Sequence, residues 1–205
     1  MSAVRSAIPD VFDRRYQTQG RRVHRFTYDE FMRMHDVGGF RGKRVELIEG
    51  RVVDMPAQGP RHYVATTKSY EALRRIAPAG YHVPPTPQLR LDESAPVPDC
   101  CIIPGRVEDY LTAVPTGAIL VVEVSDTTLA DDRLDKGSLY ASAGIGDYWI
   151  VNVVDDVVEV YRDPRPDASQ PSGHAYGPPT VYRRGDAVEA LAIPGARVPV
   201  TDLLP

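Results

Sequence analysis

The spacing of apolar and polar positions divides the chain into short, dissimilar pieces. Residues 1–25 show no periodicity and are expected to be a flexible leader ahead of one domain, 26–205. Thr27 followed by Glu30 has capping-box spacing and opens a short helix through about Met34. In KRVELIEGRVVDM, two β-rich runs meet at Glu49-Gly50, a turn-compatible pair, and predict a hairpin. Pro60 precedes a helix from about Arg61 to Ile76, with Val64, Tyr70, Leu73 and Ile76 as its apolar face; Pro78 and Gly80 end it.

Beyond that helix, Tyr81–Val83, Gln88–Leu91 and Asp99–Ile103 are short strand candidates separated by prolines. Tyr110–Leu111 closes a short helix. Ala118–Val124 is an apolar run with the look of a buried strand. Thr128 with Asp131 is a second capping-type start, and Ala130 to Ala143 is the clearest helix, stopped by Gly144. DYWIVNVVDDVVEVYR predicts a strand pair turning near Asp155-Asp156. Residues 163–180, rich in Pro, Gly and Ser, are a loop or insertion, and strands at Val181–Arg183 and Ala187–Ile193 finish the chain. Hairpins, one buried strand and a crossing helix imply an α/β fold built on a mixed sheet.

Composition narrows the class without choosing a function. A hydrophobic fraction of 42% and a charged fraction of 25% are those of an ordinary globular chain. No apolar stretch has the roughly 20 residues of a membrane helix. There is no signal-peptide core, and the only two cysteines, Cys100 and Cys101, are adjacent. They read as small buried residues, and together these absences fit a cytoplasmic protein. The net charge of -4 hides an asymmetry: residues 1–51 carry eleven Lys and Arg against seven Asp and Glu, the remainder 13 against 21. Arg14, Arg15, Arg21, Arg22 and Arg25 form a candidate arm for polyanions, or simply a solvated leader.

Four polar residues stand where the pattern expects core or sheet. Glu46 lies within an apolar strand, Asp99 opens DCCII, Glu123 closes ILVVE, and Lys136 sits on the following helix. Each has an ordinary explanation. Glu46 could face solvent beside Arg44 or Arg51, Asp99 could form a turn after Pro98, and Lys136 could pair with Asp132 at i,i+4 spacing. Glu123 is hardest to dismiss, because burying an unpartnered carboxylate is costly. Carboxylates gathered at one sheet edge repel unless a cation neutralises them, and oxygen-only ligands suit magnesium or manganese.

VELIEG, the His62 before a helix, VPDCCII, VVEVS, DRLDKGSLYASAGIGDYWIV and VVEVYR together resemble the Uma-two family of endonucleases, a branch of the restriction-endonuclease-like superfamily. The resemblance covers most of residues 26–162 in order and is densest from Glu123 to Trp149; after about Asp163 it weakens. It implies a central mixed sheet flanked by helices, with Glu46, Asp99 and Glu123 holding a magnesium or manganese ion and the Val124 carbonyl as an additional ligand. The superfamily's Glu-x-Lys motif is broken: Ser125 stands where the lysine is expected, and the resemblance moves that role to Lys136. Gly146 and Asp126 are smaller departures.

The expected activity is metal-dependent hydrolysis of phosphodiester bonds in nucleic acid, DNA above all, with Asp99, Glu123 and Lys136 catalytic. Homodimer assembly is left open. The rival readings are a catalytically silent nucleic-acid- or partner-binding module of the same fold, and a hydrolase of small phosphoesters. His62 could bind a phosphate or a metal but reads more readily as a packing or capping residue, and Tyr148 and Trp149 read as core rather than as a DNA-stacking pair. Arg133 is a candidate phosphate contact or a partner for Asp132 or Asp135. Asp131-Asp132 complements the helix N-terminus.

Overall fold

Thr27 and Glu30 close the capping box at the start of helix α1 (Tyr28–Asp36): the Thr27 hydroxyl accepts from the Glu30 N–H at 3.2 Å, and the Glu30 carboxylate accepts from the Thr27 N–H at 2.9 Å. The structure, a computed structural model, describes residues 22–205; most of the expected leader, including Arg14, Arg15 and Arg21, lies outside the described residues. The α1 residues Tyr28 and Phe31 pack with Leu47 and Ala95 as a small core of their own. Leu47 belongs to the hairpin of β1 (Val45–Ile48) and β2 (Arg51–Asp54). Its turn puts Glu49 at φ 53° and Gly50 at φ 73°, both left-handed, as a two-residue hairpin turn requires. A Cβ at Gly50 would also lie 2.8 Å from the Arg25 Cβ, so glycine is needed there twice over.

Helix α2 (Pro60–Ile76) lays Ala65, Ser69, Ala72 and Leu73 on the sheet. Of the predicted face, Leu73 is buried and Tyr70 and Ile76 pack against the same core, while Val64 is exposed and its place is taken by Ala65. The central sheet has the order β10-β7-β6-β5-β4-β3, from β3 (Tyr81–His82), β4 (Cys100–Pro104), β5 (Leu120–Ser125), β6 (Tyr148–Asn152), β7 (Val157–Tyr161) and β10 (Thr180–Tyr182). All neighbours are antiparallel except β5 and β6, which run parallel and are joined by a helical crossover. Strands at this centre are buried on both faces, which is why they read as continuous apolar runs. Cys100, Ile102, Val122 and Trp149 face α2; Cys101, Ile103, Val121, Ile150 and Tyr148 face the crossover.

That crossover, α3, runs as Leu129–Asp131, then a π segment at Asp132–Lys136, then Gly137–Ser142. The expected cap is absent. Thr128 makes no hydrogen bond to the helix's first amides and instead donates to the Asp132 carboxylate at 2.7 Å. Gly144 stops the helix at φ 72°. Gln88–Leu91 is not a sheet strand: Leu89 and Leu91 pair with Pro96 and Ser94 in a local loop. Two short strands within 163–180, β8 (Arg165–Pro166) and β9 (His174–Ala175), pair and rest on α3, where Ser138 donates to the His174 carbonyl at 2.7 Å. A terminal pair, β11 (Ala187–Glu189) with β12 (Arg197–Pro199), adds a strand that the pattern did not predict. The architecture is a mixed α/β fold with a central mixed sheet flanked by helices. Among the described residues, no helix is long and apolar enough to cross a membrane.

Candidate active site

The apolar run of β5 drives residues of both parities inward, and Glu123 goes with them, 2% exposed. On β5, Glu123 shares the crossover face with Val121 and Ser125, so its carboxylate meets α3. There Lys136 donates to Glu123 Oε1 at 3.0 Å and Tyr140 donates to the same oxygen at 2.7 Å. Glu46 comes from the other side. The hairpin buries it, the Val97 N–H donates to its Oε2 at 3.2 Å, and its Oε1 lies 3.5 Å from Lys136 Nζ. One ammonium therefore bridges two buried carboxylates contributed by separate sheets.

Asp99 sits at the entry to β4, beside the end of β5. Its Oδ2 accepts from the Val124 N–H at 2.8 Å, and its own N–H points at Glu123 Oε2 across a long 3.4 Å. His62 Nε2 stands 3.3 Å from Asp99 Oδ2, and Gln58 donates to Oδ1 at 3.2 Å. Glu46, Asp99, Glu123 and Lys136 thus line one cleft of about 290 Å³.

Electrostatics follow from burial. Desolvation pushes the Glu123 carboxyl well above the usual carboxylate range; the Lys136 charge opposes it, and Asp132, Asp99 and Glu46 add to it. Burial also works against the Lys136 charge, but Glu123, Glu46 and Asp132 outweigh it and hold the ammonium above the usual lysine value. Tyr140 is raised by burial, with Glu123 adding. Asp132 is likewise raised by burial, and it is wholly enclosed: the hydroxyls of Ser125 and Thr128 both donate to its Oδ2.

Several residues behave differently from their sequence reading. Asp132, read as an acid complementing the helix N-terminus, is a buried acceptor for the Ser125 and Thr128 hydroxyls. His62 touches a site carboxylate instead of serving only to pack or cap. Arg133 forms a two-pronged bond to Glu159, a partner the sequence reading did not name. Gln58 carried no signal, and Tyr140 stood within the stretch that resembles the family without a role of its own. A signal for Asp132 was present in Ser125, since a hydroxyl ending a buried strand needs a partner.

The donor set suits a hard divalent cation. Carboxylate oxygens are what magnesium and manganese take, and the Lys136 ammonium between Glu46 and Glu123 shows that the cluster calls for positive charge. On both counts the residues fit. Among the described residues, however, no three such side chains are already gathered as a coordination shell.

A mixed sheet between helices, with carboxylates converging beside a lysine, defines a nuclease-like α/β protein. Residues 28–201 match the Uma2 family, described as "Putative restriction endonuclease", and the chain belongs to that family. Its fold is similar to a crystal structure described as "a putative nuclease belonging to DUF820" from Anabaena variabilis ATCC 29413. That match has a TM-score of 0.63 and 14% identity, and it covers 87% of this chain and 97% of the other. Identity so low speaks for the fold alone. No curated protein matches the chain.

Proposed function

We propose that this chain is a divalent-cation-dependent endonuclease that hydrolyses phosphodiester bonds in nucleic acid, with DNA as the expected substrate. The observation that carries the reading is the meeting of Glu46, Asp99, Glu123 and Lys136 at one cleft, from a hairpin, two sheet strands and a helix. Glu46, Asp99 and Glu123 are the residues to hold magnesium or manganese, which would supply Lewis-acid stabilisation of charge on the scissile phosphate.

The chain's own groups do the rest. Lys136 stays protonated and offers a compact ammonium to a phosphate oxygen at the cleft. Tyr140 holds Glu123 Oε1 from behind, and the Val97 amide holds Glu46, so both carboxylates keep their aim. The low-dielectric walls strengthen each of these interactions.

The test is cleavage of labelled duplex DNA, single-stranded DNA and RNA with magnesium, with manganese and with chelator. The parent is compared with Glu123→Gln, which keeps the shape and removes the charge. Metal-dependent cutting by the parent and its loss in the variant are expected. Undiminished cutting in chelator, or by the variant, would overturn the reading. Binding without cutting in any metal would favour the silent module.

A further inference from the structure

The Asp99 carboxylate is gripped more fully than the fold requires. Oδ1 accepts from Gln58 Nε2 at 3.2 Å, while Oδ2 accepts from the Val124 N–H at 2.8 Å and stands 3.3 Å from His62 Nε2. An ionised carboxylate only accepts, so the His62 ring supports it by presenting an Nε2–H. The other nitrogen, Nδ1, is 3.2 Å from the Thr66 hydroxyl one turn along α2, which fixes the ring plane. A carboxylate offers roughly four lone-pair positions. Each oxygen accepts one hydrogen bond, and the His62 ring lies against Oδ2, which leaves Oδ1 the more open of the two.

Neither side chain is needed to build the core. The face that α2 presents to the sheet is Ala65, Ser69, Ala72 and Leu73, and Gln58 lies exposed in the loop before the helix. Pro60 starts α2 so that its first turn carries His62 to the strand end, and that placement serves Asp99.

We infer that Gln58 and His62 are positioning residues: they lock the Asp99 carboxylate so that Oδ1 is the oxygen it offers to a divalent cation. The inference rests on the nuclease reading and adds to it the partners that orient one ligand. Outer partners of this kind typically matter by 10- to 100-fold in metal affinity.

The experiment is manganese binding, by calorimetry or electron paramagnetic resonance, on the full chain. Parent, Gln58→Ala, His62→Ala and His62→Gln are compared, each with a melting curve in chelator. His62→Ala should bind manganese roughly 10- to 100-fold more weakly and Gln58→Ala should lose less, with metal-free melting temperatures close to the parent's. His62→Gln should recover most of the affinity, because its amide N–H can reach Asp99; a ring that mattered only for packing would show no such rescue. Parental affinity in both alanine variants would overturn the positioning role and leave the nuclease reading standing. A parent that binds no manganese at millimolar concentration would overturn both. Should His62→Ala fail to fold, Gln58→Ala decides alone, and parental affinity there overturns the inference.

Discussion

Glu123 and Glu159 occupy the same rung of the sheet. Ile150 of β6 pairs with both, so the two carboxylates point toward α3 on either side of one isoleucine. Each receives a cation from the π segment of that helix, Lys136 for Glu123 and Arg133 for Glu159, three residues apart. Both are almost fully buried. Their chemistry nonetheless diverges. Glu159 takes two bonds from Arg133 at 2.9 and 2.6 Å, one from Asn152 at 3.0 Å and one from Tyr161 at 2.7 Å. Burial acts to raise its carboxyl, but these donors outweigh it and hold it below the usual range. Glu123 has its two short bonds on a single oxygen and only a long contact on the other, and its carboxyl is raised. Both are shielded from solvent, but Glu123 is the more fully desolvated and lies beside Asp132, Asp99 and Glu46, whereas at Glu159 the donated bonds outweigh burial. A saturated carboxylate holds the fold together, whereas an underfilled one keeps acceptor capacity for chemistry.

The largest effect that would break this contrast concerns Lys136. Lys136→Ala should slow single-turnover cleavage by 100- to 1000-fold, or about 2.7–4 kcal/mol, the usual worth of a preorganised group at developing charge. Lys136→Arg should rescue poorly, because a planar fork cannot replace a compact ammonium. If the alanine variant cut at the parental rate, Lys136 would be a structural cation like Arg133.

Next in size is a pair of opposite pH trends. With its carboxyl lowered, Glu159 contributes stability that is present above the ordinary glutamate value, about 4.3, and lost as pH falls through its folded value. Glu159→Gln should therefore cost about 1–3 kcal/mol at neutral pH, and the gap to the parent should narrow in acid. Glu123 is raised, so its contribution is present below about 4.3 and lost as pH rises through its folded value. Relative to the parent, Glu123→Gln should gain stability as pH rises. Chemical denaturation of the three proteins across the acid-to-neutral range checks both, and parallel curves would dissolve the distinction. The smallest effect is that of Tyr140→Phe, which removes one donor from Glu123 and should cost about 0.5–1.5 kcal/mol, read from the same curves.

Much of the scaffold was legible locally. The capping box at Thr27, the Glu49-Gly50 turn and the buried strand carrying Glu123 each depend on neighbours a few residues away, and the structure forms all three, the strand running on to Ser125. The partnerships within the cleft depend on chain segments far apart. His62 meets Asp99 from 37 residues away, and Arg133 finds Glu159 from 26 residues away. No local periodicity encodes which of two cations on one helix turn faces which strand. The burial of Asp132 was legible only indirectly: the Ser125 hydroxyl at the end of a buried strand needs a partner, but that the partner is Asp132 depends on how α3 packs against β5.

The π segment carries a consequence for insertions and deletions. The Gly137 N–H reaches back five residues to the Asp132 carbonyl, which also accepts from the Tyr148 hydroxyl at 2.9 Å, and a Cβ at Gly137 would come within 3.3 Å of that oxygen. A π turn holds one residue more than an α turn, so it acts as a phase offset between the two halves of the helix. Deleting a single residue there would let the helix regularise as α while its two halves stay in phase, so Arg133 would remain over Glu159 and Tyr140 over Glu123. A deletion in the regular turns after Gly137, by contrast, would rotate everything downstream of it by about 100°. Substitutions between Asp132 and Gly137 would perturb single contacts, whereas a change of length outside the π segment would turn the residues beyond it away from the cleft.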